Sequence, residues 1–221
     1  MPTPRRAFGR NRLIGLGLLV VLLVAMALNT KFLTPQERAA AGPKVFDAKA
    51  TAADLYAKAQ SELPGQAQPL GDVLSAVQAD PKAAATKFKA VTPAEGSYVF
   101  PVTAAATVSQ ASNANLQLKV AGVDGTPIIV PLSTAVNGSV LRDAMGFKFA
   151  DAPGQTDYQY VGDELKKLML DEIKSSVSDP ASLKGKKVTV VGVVSVLSPT
   201  GAAPPKAKPV NIQPLSIKAA S

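Results

Sequence analysis

The chain contains no cysteine, no histidine and no tryptophan, and only 5% of its 221 residues are aromatic. Without Cys there is no disulfide framework, no thiolate metal site, no cysteine nucleophile and no lipid attachment through an N-terminal cysteine. Without His the commonest general base and metal ligand are gone, and with them most hydrolytic triads and zinc sites. No glycine-rich phosphate loop is present. Glu95, Asp124, Asp143 and Asp151 are scattered through separate loops, a spacing that recommends no carboxylate pair for glycoside hydrolysis. These absences lead us to expect a protein that is not an enzyme and that uses neither metal nor cofactor.

Hydrophobic residues make up 47% of the chain, drawn heavily from Ala and Val, so the core should be small and built from modest side chains. Net charge is +8, but Arg5, Arg6, Arg10 and Arg12 crowd ahead of one apolar run, so the excess is mainly a topology signal. That run, Leu13 to Leu28, is sixteen uncharged residues, about 24 Å as a helix against a hydrocarbon core of about 30 Å. With Asn29 and Thr30 at the interface and Lys31 snorkelling, a span is feasible. The basic flank places the N-terminus in the cytoplasm and the rest of the chain outside. A cleaved signal peptide is the rival, because Ala25-Met26-Ala27 has the small-residue pattern of a processing site. The expected localisation is the cell membrane, single-pass, with an extracytoplasmic C-terminal domain.

The expected organisation is a basic tail (1–12), an anchor or signal segment (13–30), a tether (31–46), a helical segment (47–90) and a β-domain (91–221). Helices are expected over Asp47–Leu63, Pro69–Gln78 and Pro81–Lys89, the last started by Asp80-Pro81. All three are Ala-rich and suited to packing on the surface of something else. Strands follow over Tyr98–Val108, Leu116–Val120 and Ile128–Leu132, separated by turn residues, and then a loop-rich stretch that includes Gly138–Gly146. Tyr160–Val177 shows clear helical periodicity. Val161, Leu165, Leu168, Met169, Ile173 and Val177 share one face, opposite most of the charged residues. Lys186–Leu197 and Val210–Lys218 read as the final strands. Three strands, a helix and two strands is the element order of an OB-fold. The fold class is therefore α+β, with an OB-like antiparallel barrel carrying its amphipathic helix between strands three and four.

The segment Gly138-Ser139-Val140-Leu141-Arg142-Asp143-Ala144, followed by Phe147, Phe149, Gln155 and Tyr158, resembles the DUF2291 family of predicted periplasmic lipoproteins. Ser182-Leu183-Lys184-Gly185-Lys186-Lys187-Val188 adds to the likeness, which runs from about Lys31 to residue 218. The resemblance implies a location outside the cytoplasmic membrane and association with the subunits or solute-binding protein of a sugar ABC transporter. This chain departs from the family pattern in lacking the lipidation cysteine, so its tether must be the apolar helix. It also carries Pro153-Gly154 where members have bulkier residues and an Asn before the Gln.

Arg142 and Asp143 are the leading candidates for ligand binding: an Arg fork can hold a carboxylate or phosphate bidentately, and the Asp can orient it or bind a hydroxyl. The competing reading has the pair bonding backbone groups to shape a loop. Gln155 and Tyr158, with Asp157, can supply hydrogen bonds and stacking to a small polar ligand, or can cap the helix that follows. Nucleic-acid binding is not expected, because Lys184, Lys186 and Lys187 cluster without the interleaved aromatics such a groove needs. The reading that results is a membrane-anchored accessory or binding module. The alternative is a stand-alone domain for a small polar ligand.

Overall fold

The computed structural model describes residues 10–29, 34 and 46–219. The expected basic tail and most of the expected tether thus lie outside the described residues. Helix α1 (Arg10–Asn29) carries apolar residues all round. Ile14, Leu18, Val21 and Leu28 are each more than half exposed. Among the described residues no helix is long and apolar enough to cross a membrane.

Phe46–Ser221 forms the second compact unit of the chain. It opens with α2 (Ala48–Gln66), whose N-terminus is held by the Asp47 side chain accepting from Ala50 N–H. The two-residue strand β1 (Gln68–Pro69), α3 (Leu70–Ala79) and α4 (Pro81–Lys87) follow. Asp80 caps α4 through Lys82 and Ala83 N–H, and Pro81 sits where its missing donor costs nothing. Ala52, Tyr56, Ala59 and Leu63 of α2 are buried, so the inner stripe of this helix mixes small and large side chains.

The sheet is made by β2 (Val91–Ala94), β3 (Ser97–Ala111), β4 (Asn115–Val120), β5 (Ile128–Pro131), β6 (Lys187–Leu197), β7 (Val210–Asn211) and β8 (Gln213–Ala219), together with β1, which pairs parallel with β3. The long β3 pairs antiparallel with β6 along Ser97–Thr107 and with β4 over Ala106–Ala111. Strand β4 continues to β5, and β6 to β8. The two ends of this ladder meet in one stretch of chain. There β7 pairs parallel with β5, and one residue later the chain, as β8, pairs antiparallel with β6. The expected single strand Val210–Lys218 is therefore broken at Ile212, which is wholly buried and donates its N–H to Ile129 O. This break lets one segment serve both edges and curls the sheet on itself. Gly192 of β6 lies at a close approach of this curl, where a Cβ would clash with the Gln213 carbonyl oxygen.

Alternation fills the interior with Phe100, Val102, Val108, Leu116, Val130 and Val190, the period-two pattern of a half-buried sheet. Between β5 and β6 stand α5 (Gly138–Ala144), short 3₁₀ turns at Phe149–Asp151 and Pro180–Leu183, and α6 (Gln155–Ser176). Two expectations are corrected here. The stretch Gly138–Gly146 is mostly helix, started by Asn137 accepting from Ser139 N–H and ended by Gly146 at φ +72°. In addition, α6 begins at Gln155, well before Tyr160. Val161, Leu165, Met169 and Ile173 of α6 face the core as the periodicity predicts.

Candidate functional site

Helices α5 and α6 touch backbone to backbone. A Cβ on Gly138 would lie 2.1 Å from Gly162 O and 2.4 Å from Lys166 N, and one on Gly162 would meet the Ser139 hydroxyl at 2.6 Å. Glycine is required at 138, where the clash would be with backbone, whereas at 162 only the Ser139 hydroxyl would have to move. The close approach brings the start of α6 beside Arg142, which is 6% exposed.

The Arg142 guanidinium donates from Nε and Nη2 to Asp143 Oδ1 at 3.0 and 2.8 Å, and from Nη1 to the Tyr158 carbonyl at 3.0 Å. Its plane lies over the Tyr158 ring, 3.5 Å from the centroid. The Tyr158 hydroxyl donates to Asp143 Oδ1 at 3.2 Å. Phe147 stacks beside the same ring at 6.0 Å and Phe149 meets it edge-on at 5.7 Å. Burial raises the Tyr158 pKa above 10.0, the Asp143 carboxylate pushes it the same way, and Arg142 opposes both. The phenol is therefore a neutral donor at physiological pH.

Three of the four residues singled out from sequence, Arg142, Asp143 and Tyr158, thus form one cluster. The fourth does not join it: Gln155 is exposed at the first position of α6. Each guanidinium nitrogen has a partner within the protein, and three of its five N–H donors are used, two on Asp143 and one on the Tyr158 carbonyl. The cluster ties α5, the 145–154 turn and α6 together.

A second feature lies across α5. Residues 140 and 142 are about 200° apart around a helix, so Val140 points away from the Arg142 cluster. With Asn137 it helps to line a cleft of about 330 Å³ between α3, the ends of β6 and β7, and the loop 198–209. The loop is held over the cleft by Gln78 Nε2 donating to Pro204 O at 2.8 Å and by Ser198 Oγ donating to Ala202 O at 2.7 Å. Gln213, nearly buried, accepts from Asn137 N–H at 2.8 Å and fixes the cleft floor to α5. Sequence reasoning missed this site. Its residues come from five separated segments, and the only local signal was the proline content of the loop.

The fold is that of an OB-fold protein. An OB-fold protein from Thermotoga maritima MSB8, solved by crystallography, superposes with a TM-score of 0.66 at 20% identity, covering 80% of this chain and all of the other. The model of the DUF2291 family, predicted periplasmic lipoproteins, matches residues 18–218. The chain belongs to that family. No curated protein matches it.

Proposed function

We propose that this protein is a non-catalytic accessory module of the cell envelope, tethered to the outer face of the cytoplasmic membrane by α1 and working beside a sugar ABC transporter. The observation that carries the anchor is the exposed, all-round apolar surface of α1 in a member of a lipoprotein family that has no cysteine to lipidate. A helix apolar on every side needs an apolar environment on every side. The apolar part is bounded by Arg12 and Asn29 and is shorter than the average hydrocarbon core. Anchoring therefore relies on snorkelling flanks and local thinning of the bilayer. The transporter association rests on the family resemblance. It is tested by crosslinking in intact cells and mass spectrometry of what co-purifies through a C-terminal tag. Enriched permease or solute-binding subunits, lost when residues 138–158 are altered, support it, whereas recovery of the protein alone at good yield overturns it.

A second reading, a domain that binds a small polar ligand by itself, is favoured by the cleft beneath loop 198–209 rather than by Arg142. Its volume falls at the lower end of small-molecule sites, and Asn137, Asn211, Gln213 and Lys208 offer polar groups in a lining of mixed polar and apolar residues. Saturable binding of a small solute that is lost on Val140→Phe, with the fold retained, is the result this reading requires.

A further inference from the structure

None of the strands contains an Asp or Glu; their only charged residues are Lys119, Lys187 and Lys218. The register gathers these three on one outer wall. Lys119 and Lys187 flank Thr107 from opposite sides, on β4 and β6. Two strand spacings put their Cα atoms about 10 Å apart. Lys218 pairs with Thr189, two residues on from Lys187 along the same face of β6, a diagonal neighbour at about 7–8 Å. All three lysines are exposed, as are Ala105 and Thr189 between them. The side chains that separate the charges are therefore small, and the wall is low relief. Lys184 and Lys186, also exposed, stand at the entrance to β6. The acidic residues nearest in sequence are Asp124, five residues beyond Lys119, and Asp179, five before Lys184; the Asp179 carboxylate accepts from Ala181 N–H. No ion pair among the described residues involves any of the five lysines.

From this arrangement we infer that the β4–β3–β6–β8 wall is a docking surface for the anionic lipid headgroups of the bilayer that carries the anchor. The inference rests on the tethering proposed above. A basic wall without aromatic side chains suits a layer of phosphates rather than single-stranded nucleic acid, which needs stacking platforms. Lysine is adapted to it, because each compact ammonium attracts anionic lipid within a Debye length of the surface without needing a fixed geometry. The residues between Asn29 and Phe46 reach at most about 3.5 Å each, enough to let the wall lie against the membrane. Tethering then makes docking an intramolecular event, so a weak surface suffices.

The test uses the full chain reconstituted into vesicles of phosphatidylcholine alone, or of equal parts phosphatidylcholine and phosphatidylglycerol. Acetylation rates are read lysine by lysine by mass spectrometry. On anionic vesicles at low salt, Lys119, Lys187 and Lys218 should label at least about threefold more slowly than on neutral ones. Lys58, Lys82 and Lys174 should be unaffected, and high salt should erase the difference. The triple variant Lys119→Glu, Lys187→Glu, Lys218→Glu should keep its circular dichroism and lose the protection of Lys184 and Lys186. Equal labelling on both vesicle types overturns the inference, as does protection by an added oligonucleotide with none by vesicles. Flotation of the same vesicles in high salt separates the two readings. A chain that stays bound there retains its anchor whatever the lysines do, whereas one that leaves has lost the anchor alone.

Discussion

The Arg142 corner and the lysine wall are two charged regions of the folded unit that treat charge in opposite ways. At the corner one cation is buried and matched by Asp143, the Tyr158 carbonyl and the Tyr158 ring. On the wall three cations stand in solvent, separated by Thr and Ala. A buried pair is costly to break because the surviving charge has lost its water, whereas exposed lysines contribute little to stability. The corner therefore holds the fold, and the wall is free to meet a partner. Of the residues that carried the family likeness, those of α5 belong to the first kind, while Lys184, Lys186 and Lys187 belong to the wall. Gly138 lets α5 meet α6, Leu141 and Ala144 fill the core, and Arg142 and Asp143 close the corner.

Substitutions can sharpen or break that contrast. The largest effect should come from Gly138→Ala. Its new Cβ would overlap the α6 backbone, which cannot rotate away, so urea denaturation should show a loss of about 3 kcal/mol. Close behind, Arg142→Met should strand the Asp143 carboxylate and cost on the order of 3 kcal/mol. Arg142→Met/Asp143→Leu should recover part of that loss. A double variant as unstable as the single one would show that the corner is more than an ion pair.

A smaller effect is expected in the α2–α6 packing. The Tyr56 hydroxyl is buried without a hydrogen-bond partner. Its pKa is pushed up to about 12 by burial and by Glu172, while Gln60 works weakly in the opposite direction without completing a bond. The unfolded chain gives up this proton at lower pH than the folded one. The stability from this group is therefore complete below about pH 10 and falls as pH rises through the window up to 12, by at most about 1.4 kcal/mol per pH unit. Tyr56→Phe should flatten that slope and, by removing an unpaired hydroxyl, raise stability at neutral pH by roughly 1 kcal/mol. The smallest change, within about 0.5 kcal/mol, is expected of Lys187→Glu. A large loss there would place the wall with the corner as structure.

Much of this architecture is legible in the sequence because long elements announce their period. The stripe Val161, Leu165, Met169, Ile173 placed α6, and the alternating β3 and β6 placed the sheet. Short elements were legible only where a cap or turn residues marked them, as Asp80-Pro81 marked α4. Seven residues of α5 bounded by glycines read as loop, since Gly138 served a tertiary contact that no local pattern encodes. The start of α6 was hidden by Pro153-Gly154, which ends one segment and begins the next. The break at Ile212 follows from curling the sheet, a property of five paired segments together. For the same reason Arg142, Asp143 and Tyr158 could be chosen by type but not assigned a role. Whether a guanidinium is offered to a ligand or spent on the fold depends on what lies over it, and here a ring fifteen residues away from Asp143 does.

The central claim is that α1 holds the folded unit at the outer face of the membrane. Its most direct test is the intact mass and partition of the natively expressed chain, C-terminally tagged, after alkaline carbonate extraction and protease treatment of spheroplasts. The account predicts an uncleaved mass, retention in the membrane pellet and loss of the tag to added protease. A shortened mass, of a chain beginning near Leu28, with release into the soluble fraction on osmotic shock, would contradict it.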